Sequence, residues 1–283
     1  MYKNLKVSVV IPARDEEKSI GLVVEDLLAL QNSLIDDIVV CDNGSNDLTA
    51  QRAKEAGARV VYEKRPGYGT ACITALAALE ASDIILFTDG DHSFKAAQAI
   101  RLLDGIAKGA DLVIGSRVLG EIESGALTVP QAMGNRLAGF LIKCLWGVKV
   151  TDLGPYRAIR SSALERLKMM DTAFGWTVEM QVKAIQQGLR MIEVPVDTKR
   201  RIGQSKISGT IRGTVGAGVG ILSMIAKLWW QQSNFNEDSE LSVVSGMERS
   251  GFPETKVSDF PNAVFSRSLY DVWEESRTRE REN

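Results

Sequence analysis

The feature that most constrains this chain is a run of short apolar segments that do not alternate with polar residues. Lys6–Ile11, Asp37–Cys41, Val60–Tyr62, Asp83–Thr88 and Leu112–Ile114 are rich in Val, Ile and Leu. Each is separated from the next by a stretch with helical spacing. Ile20, Val23, Val24, Leu27 and Leu28, for example, fall on one helix face. Strands without alternation are buried on both faces, and intervening helices supply that cover, so the pattern predicts a mostly parallel, Rossmann-like α/β sheet. Helices are expected over 45–56, 69–81 and 95–108, with Gly57 closing the first of these. The second half is less regular. Helices are expected over 131–146 and 177–187, and strands over 157–159 and 191–196.

In a parallel sheet, ligands bind beyond the carboxyl ends of the strands. The residues there are polar: Pro12–Glu16, Asp42–Asp47, Asp89–His92 and Gly115–Arg117. Asp89-Gly90-Asp91 places two carboxylates one residue apart, with glycine between them. Such hard oxygen ligands suit Mg²⁺ or Mn²⁺, and a bound diphosphate would complete the coordination shell. An Asp-Gly turn is the bland alternative, and the position after the fourth strand favours the ligand site. Asp42 sits where a nucleoside would lie, with Ser45 or Asp47 free to cap the following helix. Glu17 suits a first helical turn through the helix dipole. His92 is the chain's only histidine. It is read as a neighbour of the carboxylate pair, with metal ligation the lesser use.

Four segments, Val9–Glu16, Asp42–Asp47, Gly67–Ala71 and Asp89–Asp91, occur in the order that resembles family-two glycosyltransferases, above all the dolichyl- and polyprenyl-phosphate mannose or glucose synthases. The resemblance spans about Lys6 to Lys206. It implies a GT-A fold and inverting transfer from a UDP- or GDP-sugar. By the same resemblance, Pro12, Arg14, Glu16 and Asp42 would hold the nucleoside, and Gly67–Thr70, including Gly69, would pass beneath the nucleotide or sugar. Asp89, Gly90 and Asp91 would hold metal and diphosphate. Arg117 and Arg136 would bind an acceptor phosphate, for which a bidentate guanidinium is suited. Arg201-Ile202-Gly203-Gln204-Ser205-Lys206 resembles the loop that closes over the diphosphate, through Arg201 and Lys206. Asn43 and the Arg14-Asp15 pair depart from the family pattern and leave the base open. For a hydroxyl acceptor, Glu179 is the first candidate base and Asp152 the second; a phosphate acceptor is already ionised.

Residues 1–207 are thus expected to form the catalytic domain, 208–230 an apolar amphipathic helix, and 231–283 a polar, mobile tail. Gly213–Ala226 contains no charge over 14 residues. At 1.5 Å per residue it would span about 21 Å, too short for a bilayer core of about 30 Å. Flanked by Arg212, Lys227 and Trp229-Trp230, it suits a membrane interface; packing on the domain or in a homo-oligomer is the competing use. The net charge of −2 argues against a nucleic-acid binder. Cys41, Cys72 and Cys144 lack metal-ligand spacing and fit a reducing compartment. With no signal-peptide pattern at Met1–Leu5, the expectation is a cytoplasmic enzyme, peripheral on the inner membrane face. Two rivals are a sugar-nucleotide pyrophosphorylase, which would need a glycine-rich loop with Lys after the first strand, and a non-catalytic nucleotide-binding protein.

Overall fold

A computed structural model describes residues 1–30, 34–203 and 211–246. The strands are β1 (Val7–Ala13), β2 (Asp37–Asp42), β3 (Arg59–Tyr62), β4 (Ile84–Phe87), β5 (Leu112–Ser116), β6 (Arg157–Arg160) and β7 (Met191–Pro195). They form one sheet in the order β3-β2-β1-β4-β6-β5-β7. Every pairing is parallel except those of β6, which runs antiparallel to β4 and β5. All seven expected strands are present. The direction of β6 is not legible in its four residues, because antiparallel insertion is set by the path of the chain before it.

The helices are α1 (Ile20–Leu28), α2 (Thr49–Glu55), α3 (Tyr68–Ala77), α4 (Ala99–Ala107), α5 (Val129–Trp146), α6 (Ser161–Leu167), α7 (Trp176–Gln186) and α8 (Ile211–Gly246). All seven residues of β1 are buried. Val9 and Ile11 face a core layer with α1 and α4, while Val10 faces a layer with α3, α6 and α7. This two-sided burial explains the absence of alternation in the sequence. A third apolar cluster joins α5, α7 and α8 through Ala138, Ile142, Val178, Val182, Met224, Ile225 and Leu228. α8 is therefore docked on the body along one face. It also continues past 230 to Gly246, so the first residues of the expected polar tail are helical; residues 247–283 lie outside the described residues.

The order of strands creates the site. From β1 the chain steps outward to β2 and β3, then returns to place β4 on the other side of β1. Loops leaving β1 and β4 diverge at that reversal and leave a crevice at their carboxyl ends. The loop leaving β1 is held to the loop leaving β2 by side-chain bonds. Ser45 Oγ accepts from Asp15 N (2.9 Å) and Thr49 Oγ1 from Glu16 N (2.7 Å), and Asp15 Oδ1 accepts from Asn46 N (2.7 Å). Asp47 Oδ2 accepts from Glu17 N and its Oδ1 from Thr49 N, so Ser45 and Asp47 serve the loop after β1, and α2 begins only at Thr49 with no side-chain cap.

Candidate functional site

The crevice is a cleft of about 260 Å³ lined by Pro12, Ala13, Arg14, Glu16, Asn43, Gly67, Tyr68, Ala71, Asp89, Gly90, Asp91, Phe174 and Arg201. Seven residues expected from the sequence as donor ligands meet there: Pro12, Arg14, Glu16, Asp89, Gly90, Asp91 and Arg201. Gly90 is tightly enclosed. A Cβ built on it would lie 3.3 Å from Ile20 Cδ1 and 3.4 Å from Ala13 Cβ. Glycine therefore lets the carboxylate pair sit against the end of β1.

The electrostatics of the pair are unfavourable without a counter-charge. Loss of water contact and the adjacent Asp91 charge push the Asp89 carboxyl up to about 7, against weaker lowering by the Tyr68 hydroxyl, Arg201 and Arg117. Tyr68 Oη donates to Asp89 Oδ1 at 3.2 Å. Asp91 Oδ1 accepts from Ser93 N at 3.0 Å, while its Oδ2 lies 3.3 Å from Arg201 Nη1. Arg201 Nη2 donates to Glu16 Oε1 at 2.8 Å. One guanidinium thus bridges the ends of β1 and β4.

Asn43, which departs from the family pattern, has a clear structural use. Its amide nitrogen donates to the carbonyls of Glu63 (3.1 Å) and Arg65 (2.7 Å), and its oxygen accepts from Gly67 N (2.9 Å). A carboxylate there would face two carbonyl oxygens with no proton to give. Asp42 lies below the cleft lining, 7% exposed, and its Oδ1 is buried without a hydrogen-bond partner among the described residues. Such an atom is costly unless a ligand or water completes it.

Several expected site residues lie outside the cleft lining. Gly69 does not line the cleft. Its Cβ would fall 2.0 Å from the Asp171 carbonyl oxygen, and Gly69 N and Thr70 N donate to the Ala173 and Thr172 carbonyls. The glycine admits the 171–173 segment, not a ligand. Glu179, 2% exposed, pairs with Lys183 at 2.6 Å and accepts from Met170 N and Asp171 N. Asp152, 1% exposed, accepts from Arg117 Nε (2.8 Å), Nη2 (2.6 Å) and backbone N (2.8 Å). Neither carboxylate lines the cleft, and both are spent in holding neighbouring backbone, so neither is placed as a general base. Arg117 keeps only Nη1 uncommitted among the described residues. Arg136 is exposed on α5, and Lys206 lies outside the described residues. His92 Nε2 lies 2.9 Å from Asp26 Oδ2 on α1, with Lys199 Nζ close by, and its ring does not line the cleft.

Gly67 and Tyr68, from the segment expected beneath the nucleotide or sugar, line the cleft, and Phe174 is a cleft residue that the sequence reading missed. Phe174 has no local motif; it arrives through the bonds of the 171–173 segment to α3. Arg157, seen in the sequence beside Tyr156, is fully buried. It donates to the carbonyls of Leu153, Gly154 and Thr177, fixing the turn after Asp152 onto α7.

The raised Asp89 carboxyl carries a stability consequence. Between about 4 and 7 the folded chain keeps a proton that the unfolded chain has released, so this contribution is present in acid and lost as pH rises through the folded value. Asp89→Asn should therefore raise Tm at pH 8 in EDTA by about 2–4 °C, the shift that about 1 kcal/mol produces at this size. The gain should shrink as pH falls and vanish near pH 4, where both states hold the proton. Thermal melts at the two pH values check this; an equal effect at both would contradict it.

Comparison with known proteins follows this geometry. Residues 8–168 match the family described as Glycosyl transferase family 2. An uncharacterized glycosyltransferase of Mycobacterium tuberculosis is 35% identical over 214 residues, covering 74% of this chain and 93% of the relative. A dolichyl-phosphate hexose transferase of Haloferax volcanii is 30% identical, over 71% of this chain and 86% of the relative. A glucosyl-3-phosphoglycerate synthase of Mycolicibacterium paratuberculosis is 44% identical over only 93 residues, 30% of this chain and 28% of that protein. The crystal structure of the M. tuberculosis glucosyl-3-phosphoglycerate synthase, in complex with Mn²⁺, UDP and phosphoglyceric acid, matches with a TM-score of 0.65 at 22% identity, covering 80% of this chain and 79% of that one. By sequence and by the arrangement of its sheet, the chain belongs to glycosyl transferase family 2 and is a glycosyltransferase of GT-A fold.

Proposed function

We propose that the chain moves a hexose from a nucleoside diphosphate sugar to a polyprenyl phosphate at a membrane surface, with inversion and with Mg²⁺ or Mn²⁺. The observation that carries the donor half is the convergence of Glu16, Asp89, Asp91 and Arg201 in one cleft at the strand-order reversal. Pro12, Arg14 and Asn43 form its nucleoside end, and the unpartnered Asp42 Oδ1 is suited to a base or ribose donor.

The donor set fits a hard cation. Among the described residues, no three His, Cys, Asp or Glu side chains converge on one point. Two carboxylates and a substrate diphosphate are the usual environment of Mg²⁺ in such sites. Asp89 and Asp91 would hold the ion, which when bound supplies charge neutralisation for the departing diphosphate. Arg201 adds positive charge on the same side. The acceptor oxygen attacks the anomeric carbon from the opposite face, forming one C–O bond as the bond to the diphosphate breaks. With Glu179 and Asp152 both engaged elsewhere, an acceptor that arrives ionised is favoured over one that needs a base. Arg117 Nη1 and Arg136 are the cations for its phosphate.

The membrane half rests on α5 and α8, which pack together. Their outer faces carry Met133, Leu137, Phe140, Val215, Val219, Trp229 and Trp230, with Phe140 and Trp230 each 62% exposed. No Asp or Glu occurs in 124–151 or 198–236, and all their formal charges are Lys or Arg. An apolar face whose charges over these two segments are all cations, the acids of α8 beginning only at Glu237, suits anionic lipid, and it opposes self-pairing through like charge. Among the described residues, no helix is long and apolar enough to cross a membrane. A second reading, a small soluble phosphate-bearing acceptor, is supported by the short stretch of higher identity to the phosphoglycerate-glucosylating enzyme.

Two experiments test the reading. UDP- and GDP-sugars are incubated with polyprenyl phosphate or 3-phosphoglycerate, with Mn²⁺ or with EDTA. We expect sugar in the lipid fraction with Mn²⁺ only, and loss of at least about 100-fold in Asp91→Ala, the scale of removing one transition-state charge contact. Full activity in that variant would remove the assignment, and transfer only to phosphoglycerate would select the second reading. In co-sedimentation, the chain should bind phosphatidylglycerol vesicles. Phe140→Glu with Trp230→Glu should weaken this by about tenfold or more, since two buried aromatics and charge sign both change. Equal binding would contradict the lipid face.

A further inference from the structure

Arg201 occupies the place where a cation would approach Asp91. Its guanidinium lies 3.3 Å from Asp91 Oδ2 and 2.8 Å from Glu16 Oε1, and both carboxylates are only 10% exposed. The other oxygen of Asp91 is committed to Ser93 N. The position is enforced by the backbone: Lys199 N donates to Ser93 O and Ile202 N to Asp91 O, each at 2.9 Å. Arg201 is thus carried to the carboxylates by a segment tied to the same loop that bears them. Its Nε is buried without a hydrogen-bond partner among the described residues. The guanidinium is therefore incompletely satisfied in this arrangement, with a donor left over for another acceptor.

We infer that Arg201 is an internal counter-ion that competes with the divalent cation for Asp91, so that cation and donor bind as mutually dependent ligands. The inference rests on the proposed metal site at Asp89 and Asp91. With the cleft empty, the guanidinium neutralises Asp91 and Glu16 and opposes entry of a second cation. A diphosphate offers the guanidinium stronger, bidentate acceptors. When it draws the guanidinium away, Asp91 Oδ2 is released to a divalent ion. Each ligand then raises the affinity of the other by the same factor, as linkage requires. A simple phosphate-binding arginine would strengthen donor binding and leave cation affinity in the empty cleft unchanged. The competitor predicts that its removal tightens the cation.

The test is Mn²⁺ affinity of the full chain, read from the electron paramagnetic resonance of free Mn²⁺, with and without UDP. Arg201→Met should bind Mn²⁺ alone about tenfold more tightly than wild type, within the usual range of site coupling. Its gain in Mn²⁺ affinity on adding UDP should shrink. Arg201→Gln removes the charge while keeping a donor for Glu16, and gives the same reading if the Met variant does not fold by circular dichroism. Unchanged or weaker Mn²⁺ binding in a folded variant would overturn the competitor. Asp91→Asn separates this from failure of the metal site itself. If wild type with UDP binds no Mn²⁺, or if binding survives Asp91→Asn, the site reading and the inference fall together.

Discussion

Like charge gathered at the carboxyl end of β4 is the constraint on which the site depends. Asp89 and Asp91 stand one residue apart, Glu16 faces them from the end of β1, and the Asp89 carboxyl is driven up to about 7. Such a cluster persists only where surrounding structure holds it and a cation relieves it. The holding is visible in the bonds between the 14–17 and 45–49 loops, and in the backbone ties of 198–202 to 91–94. The relief in the empty protein comes from Arg201. The two-sided burial of β1 supports all of it, because it fixes where these loops emerge.

Much of this was legible in the sequence. The unalternating apolar runs reported the first five strands, β6 and β7 are expected from shorter cues, and the parallel-sheet rule turned strand ends into candidate site residues. Pro12, Arg14, Glu16, Asp89, Gly90, Asp91 and Arg201 meet as expected. The failures have physical causes. Glu179 and Asp152 read as candidate bases for a hydroxyl acceptor; Lys183 lies one helical turn from Glu179, whereas the Arg117 partner of Asp152 is distant in sequence and only the fold brings it there. The family resemblance places Gly69 beneath the nucleotide or sugar; the group that approaches it closely is the 171–173 backbone. α6 was missed because it is a seven-residue helix directly after β6, with no cap or glycine between them.

Two long segments without acid, 124–151 and 198–236, lie in a chain whose net charge is −2. They contribute α5, α8, Arg136 and Arg201. Within these two segments every formal charge is positive, on the side proposed to meet acceptor phosphate and lipid.

The central claim is that Asp89 and Asp91 form the cation and diphosphate site. Anomalous diffraction from crystals grown with Mn²⁺ and UDP tests it most directly. The account predicts a Mn²⁺ peak at bonding distance from the Asp91 carboxylate and a UDP oxygen, with Arg201 moved off Asp91. UDP bound in the cleft without Mn²⁺ at Asp91, or Mn²⁺ at a different set of residues, would contradict it.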